Sequence, residues 1–342
     1  MSKTNPILGD TNLGFQWQTA DPFLFCVHHM DHYPAGNEKL GPKASLGGRA
    51  LGQDFSGKDG WSMYHGRTVP GFPGHPHRGF ETITIVRQGF IDHHDSLGAK
   101  ARFGNGDVQW MTAGKGVVHS EMFPLLNQDR DNPVELFQIW LNLPAKTKFV
   151  PAYFSMFWDN QIPTLTFEQE QDVDPVEVRV IAGTLGETSA LAPPPDSWAS
   201  NPEAHINVWT IRMPSGSTWE LPAHEEGLRR SLFFFNGEKL KVHDKTYTSH
   251  KGIHLRSEST VTLENQGSDE VELLMLQGRP LQEPVAQHGP FVMNTQDQIR
   301  QAFMDYQRTR FGGWPYASEA PVHSRDTPRF AVHADGRREE PS

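Results

Sequence analysis

The chain has 342 residues, 36% hydrophobic and 21% charged, enough for two domains that each bury a core. A formal charge of −10 with a pI near 5.9 speaks against a phosphate-backbone footprint, so direct nucleic-acid binding is not expected. The single cysteine, Cys26, excludes an intrachain disulfide and any Cys₄ or Cys₂His₂ zinc site.

The start, Met1-Ser2-Lys3-Thr4-Asn5-Pro6, has no apolar leader core, and no stretch reaches the roughly 18 apolar residues of a membrane span. A soluble, cytoplasmic protein without membrane attachment is expected. The 31 Gly and 26 Pro favour turns and short strands over long helices. Cys26 lies in Phe23-Leu24-Phe25-Cys26-Val27 and reads as a small buried hydrophobe. His28 and His29 follow, with His32 nearby; being adjacent, the first two face opposite ways if extended, so that one can line a cavity. Seven glycines then fall between positions 36 and 60. This insertion, 35–62, is too long for an ordinary connection and reads either as disordered or as a lid near the site.

From Pro70 onward short strands alternate with turns. Phe80-Glu81-Thr82-Ile83-Thr84-Ile85-Val86 is β-branched and closed by Gly89. Ile91-Asp92-His93-His94-Asp95 reads as a polar turn in solvent. Asn105-Gly106-Asp107 turns the chain into Val108-Gln109-Trp110-Met111, and Leu136-Phe137-Gln138-Ile139-Trp140-Leu141 runs to Pro144. Pro144, Pro151, Pro163 and an acidic stretch at 168–174 mark a domain junction. A second strand-rich stretch covers 176–182, 206–212, 231–235, 239–243, 261–263 and 271–276, with Pro193-Pro194-Pro195 in a surface loop. This spacing predicts an all-β protein of two barrels.

Thr295 with Gln298 forms a capping box, after which Ile299, Ala302, Phe303 and Tyr306 share a helical face; Gly312-Gly313 ends the helix. The polar tail from about 319 reads as mobile. The expected domains are therefore 1–165, 166–292, and a helix with tail at 293–342.

Two stretches carry chemistry. In Gly71-Phe72-Pro73-Gly74-His75-Pro76-His77-Arg78-Gly79-Phe80-Glu81, strand alternation puts His75 and His77 on one face. His119-Ser120-Glu121 repeats that spacing after its own Gly114-Lys115-Gly116 turn. One His-x-His is weak evidence in a chain of 17 histidines; the second pair carries the inference. Three imidazoles and a carboxylate suit one divalent first-row metal and leave positions for substrate or dioxygen. Arg78 should face away and pair a carboxylate. The second barrel keeps only His224 and Glu226 after Pro222, so no second metal is expected and that barrel reads as structural.

His75-x-His77-x₃-Glu81 with Gly89, and Gly114-x-Gly116-x₂-His119, resemble the two cupin motifs. More specifically, His75-Pro76-His77-Arg78-Gly79-Phe80-Glu81-Thr82, Gly106 to Gly114, His119-x-Glu121-Met122, and Gly278-Arg279-Pro280-Leu281 resemble the pirin family. The likeness runs from about Asp21 to Phe311, apart from the insertion. It implies two cupin (jelly-roll-like) barrels in tandem with a C-terminal helix, the second degenerate, and one Fe(II) in the first, held by His75, His77, His119 and Glu121. It further implies either a quercetin 2,3-dioxygenase-like oxidoreductase acting on a phenolic substrate with dioxygen, or a metal- or redox-responsive cofactor of transcription or of a metabolic enzyme, with a protein partner. Cupins commonly use the first-motif glutamate, here Glu81, whereas the pirin likeness selects Glu121. Chain distance favours Glu121 too, since four residues from His77 to Glu81 span roughly 13 Å when extended. Glu121 is expected on the metal with Glu81 behind it orienting a histidine or a water, and either carboxylate, Glu121 itself or Glu81 nearby, is expected to take a substrate proton.

Overall fold

Alternating and β-branched sequence becomes sheet almost throughout. The structure, a computed structural model, describes residues 5–170 and 172–341. The chain divides into two compact units, neither continuous in sequence: Met1–Val27 with Gln161–Gln282, and His28–Asn160 with Glu283–Ser342. Domain limits drawn along the chain at 165 and 292 do not describe these units. The reason is strand pairing, for Ile7–Asn12 pairs antiparallel with Lys251–Arg256, and Phe330–Val332 with Lys100–Gly104.

In the unit that holds the histidine motifs, one sheet runs in the order Tyr153–Phe157, Val108–Thr112, Phe80–Gln88, Asn132–Asn142, Phe23–Tyr33. The other runs Arg338–Glu339, Phe330–Val332, Lys100–Gly104, Phe90–Asp95, Val117–Met122, Gly71–His77. Val86, Ile91, Phe103, Met111, Phe123, Leu136 and Phe154 fill the space between. In the other unit a sheet ordered Ile7–Asn12, Lys251–Arg256, Arg229–Asn236, Val271–Gly278, Asn207–Met213, Val176–Ala182, Thr164–Phe167 faces one built from Thr218–Leu221, Val261–Asn265, Leu240–Val242 and Lys245–Tyr247. Its interior is apolar, from Val178 and Ile211 to Leu232, Phe234, Ile253 and Met275.

The helix forms as its sequence predicts. Gln296–Thr309 is capped by Thr295 with the reciprocal Gln298 bond, and Ile299 and Ala302 are buried against Phe291 and Met293. It ends one turn before the glycine pair, where Arg310 adopts a left-handed conformation. Cys26 is fully buried.

Three polar stretches are better ordered than their composition suggests. The insertion packs Trp61 into the core and Leu46 and Leu51 against it, and it leads directly into buried Met63 and Tyr64. Its inner support is an ion pair between Arg49 Nη1 and Asp54 Oδ2 at 3.0 Å, with both side chains inaccessible and the guanidinium 3.3 Å over the Trp61 ring. The tail beyond 319 is a strap. Buried Arg102, fixed by both oxygens of Asp92, donates from Nη1 to the carbonyls of Ser324 and Thr327. Finally, Ile91-Asp92-His93-His94-Asp95 is a buried strand, with His93 0% and His94 4% exposed; the turn comes later, at Gly98. Among the described residues no helix is long and apolar enough to cross a membrane, which leaves β-barrel spans unaddressed.

Candidate metal centre

His75, His77 and His119 come together because two neighbouring antiparallel strands are brought into one register. His75 lies directly opposite His119, and a register shift between Phe72 and His75 produces this pairing. Pro73 and Gly74 form the bulge. Bulges re-aim side chains in this way; a Cβ on Gly74 would stand 2.6 Å from Glu319 Oε2, the end of a side chain that can move aside.

One nitrogen from each of the three imidazoles lies within 4.8 Å of the others. His77 and His119 are buried, His75 partly so. His75 Nδ1 donates to the Pro73 carbonyl at 2.9 Å, which leaves Nε2 with its lone pair free. His77 Nδ1 and both nitrogens of His119 are buried without a hydrogen-bond partner. Orphaned buried polar atoms of this kind need an explanation, and a divalent cation would account for one nitrogen of each ring. Burial also holds the rings neutral, the form that ligates metals. It brings His75 down to about 4 and pushes His77 and His119 well below the usual histidine range. The residues present therefore fit one metal ion.

Glu121 follows in the same strand as His119, with Oε2 3.8 Å from His119 Nε2. Gln138 Nε2 donates to that oxygen at 2.9 Å, and Thr84 Oγ1 stands 3.4 Å from Oε1. Burial raises this carboxyl to about 7, against the opposing effects of His93, Thr84 and Gln138. Such a group is poised to hold or release a proton near neutrality.

Glu81 is not brought to this cluster. Phe80 packs 5.0 Å from His77 and Thr84 reaches Glu121, so the even-numbered side chains of Phe80–Gln88 face the histidines. Glu81 points to the opposite face, fully buried, and accepts from Thr112 Oγ1 at 2.6 Å. Reading His77 to Glu81 as one extended stretch fails because the chain leaves one sheet for the other at Gly79. There φ is +86°, and a Cβ would meet the Val292 carbonyl at 2.0 Å. Arg78 does face away, donating from Nη1 to Asp305 at 2.8 Å.

Several residues join the site unannounced by motif. His93 sits opposite Glu121 in register, its ring 5.4 Å from that of His119. Its alternation with buried Ile91 was the available signal, masked by the aspartates around it. Phe80 stacks on Trp140 at 3.9 Å, and Trp140 stands edge-on to His77. The upstream histidines separate as adjacency requires. His28 stacks on Phe137 and meets Glu135, whereas buried His29 meets the Tyr64 hydroxyl, which donates to Asp31. Tyr64 in turn stacks on Phe72, whose ring is 6.2 Å from that of His75. The insertion adds Phe55 to this aromatic edge, its ring 5.3 Å from that of Tyr64 and 6.5 Å from that of Phe72.

Comparison with known proteins agrees with this geometry. The family model described as Pirin matches residues 10–141, and that of the Pirin C-terminal cupin domain matches 208–312. A pirin-like protein of Caulobacter vibrioides is 36% identical over 270 residues, covering 79% of this chain and 90% of its own. Pirin of Rattus norvegicus is 31% identical over 254 residues, covering 73% and 80%. The crystal structure of quercetin 2,3-dioxygenase from Acinetobacter baumannii superposes with a TM-score of 0.70 at 26% identity, covering 90% of this chain and 98% of its own.

Proposed function

The chain belongs to the pirin family, and from that footing we propose that it is a mononuclear metal dioxygenase acting on a flavonol or a related phenol. The observation that carries the reading is the set of three converging imidazoles, two of them with unpartnered buried nitrogens, beside the buried Glu121 carboxyl. The likeness to a solved quercetin 2,3-dioxygenase supports the substrate class.

His75, His77, His119 and Glu121 would hold a divalent first-row metal through three nitrogens and one oxygen, taken as Fe(II) from the likeness to pirins. When bound, the ion supplies Lewis acidity and electron exchange with dioxygen. The remaining work falls to the chain. Phe72, Phe80 and Trp140 offer flat apolar surface to an aromatic ring. Glu121 accepts the proton of the substrate hydroxyl, and Gln138 steadies the carboxylate as its charge changes. Burial of the site keeps solvent from competing for that proton.

Protein purified without oxygen and loaded with Fe(II) should hold close to one ion per chain, consume dioxygen with quercetin and bleach the flavonol absorbance. His119→Ala should abolish both signals. A fully metallated protein that leaves quercetin and a panel of phenols untouched would overturn the proposal.

A further inference from the structure

The second barrel lacks the histidine cluster, yet it carries an unusual charge. Arg229–Asn236 is one of its central strands. Along it Leu232 and Phe234 point into the apolar core, and Arg230 shares their face. Arg230 lies opposite Leu255 on one side and Gln277 on the other, and it is only 2% exposed. Gln277 likewise continues the inward face of Leu273 and Met275 and is fully buried. A guanidinium and a primary amide thus close one end of a hydrophobic barrel.

Their internal bonds leave capacity over. Arg230 Nε donates to Gln277 Oε1 at 2.7 Å, and Nη1 to the Pro222 carbonyl at 3.0 Å. No carboxylate among the described residues touches the guanidinium; Glu258 acts on it only through space. Gln277 Nε2 is buried with no partner at all. Glu225, on the segment before this strand, is occupied by Arg279 Nη2 at 2.8 Å and His205 Nε2 at 3.1 Å. His224, whose ring lies 5.0 Å from that of His205, adds a further nitrogen-bearing ring. A buried cation without a counter-ion is costly, as is an unmade amide bond, and one ligand would relieve both.

The place itself is informative. Pro222 to Glu226 precede this strand as the His75-Pro76-His77 segment precedes Phe80–Gln88 in the first barrel. We propose that the second barrel has replaced the cation site with a site for a small monocarboxylate, bound by Arg230 and Gln277 at the end of the barrel. A single buried positive charge matches a single negative one, whereas a phosphate dianion would leave an unbalanced charge in an apolar interior.

The test uses full-length, metal-loaded protein titrated calorimetrically with benzoate and, separately, with inorganic phosphate. One benzoate per chain should bind saturably, with phosphate at least tenfold weaker. Arg230→Gln should weaken benzoate at least tenfold. Gln277→Glu gives the guanidinium an internal carboxylate, so it should block benzoate while keeping or raising the melting temperature. This variant decides the matter if Arg230→Gln fails to fold. His119→Ala, which acts on the first barrel, should leave benzoate binding unchanged. Absence of saturable binding, binding that survives Gln277→Glu, loss of binding in His119→Ala, or phosphate binding as tightly as benzoate would each overturn the assignment.

Discussion

Gln138 donates from Nε2 to Oε2 of Glu121 at 2.9 Å, so the carboxylate beside the histidine cluster is aimed from a different strand and a different sheet. Its own strand fixes only where Glu121 begins. Outer partners of this kind orient a ligand and set its basicity. Gln138→Leu should keep the fold and lower metal affinity about 10- to 100-fold by titration against a competing chelator. Unchanged affinity would mean that Glu121 is held in place without Gln138.

The two buried glutamates should separate cleanly on substitution. Glu121→Ala is expected to lose most of its metal. Glu81→Ala should retain close to one ion per chain, yet lose about 1–3 kcal/mol in urea unfolding, because the buried Thr112 hydroxyl is left without its acceptor. An empty site in Glu81→Ala with normal stability would refute the facing of the two side chains described above.

These two residues also show how far the sequence could be read. The convergence of His75, His77 and His119, with Glu121 beside His119, was legible because alternation within one strand is local. Glu81 was placed behind the metal because His77 to Glu81 was read as one extended stretch, whereas the backbone changes sheet at Gly79. His93 and His94 looked like a turn because Asp92 and Asp95 surround them. Those acids are consumed internally, Asp92 by Arg102 and Asp95 by the backbone of Leu97 and Ala99. The insertion and the tail read as loose for a related reason. Their order comes from single buried arginines, Arg49 and Arg102, whose partners are carboxylates and carbonyls that no hydrophobic period records.

The tail offers a direct test of that point. Gly74 donates its backbone N–H to the Glu319 carbonyl at 2.7 Å, immediately before His75. Phe330 and Ala331, both buried, complete the sheet beside Lys100–Gly104. A chain ending at Ser318 should melt about 5–10 °C lower, since a few kcal/mol correspond to that shift in a domain of this size. Its metal affinity should also fall, because the bulge presenting His75 loses a support. A truncated chain with unaltered melting and metal binding would show the strap to be dispensable.

Asp54 should make the insertion sensitive to acid. Burial alone would raise its carboxyl, but hydrogen bonds from Ser56, Met63 and Arg49 outweigh it and hold the group at about 2, below its usual 3.8. A depressed folded value means that the stabilisation is complete above roughly pH 4 and is lost as pH falls from there toward 2. Asp54→Asn keeps the shape and removes the charge, so at pH 7 it should be about 2 kcal/mol less stable than the parent chain. Urea unfolding of the two proteins should converge as pH approaches 2. The readout reaches the site as well, because Asp54 exchanges backbone bonds with Tyr64, which stacks on Phe72 beside His75. Loss of the Asp54 charge should therefore free this aromatic edge before the barrel itself unfolds, seen as a Tyr64 fluorescence or exchange change preceding the main transition. A stability gap that stays constant from pH 7 to pH 2 would remove the ionised Asp54 from this role.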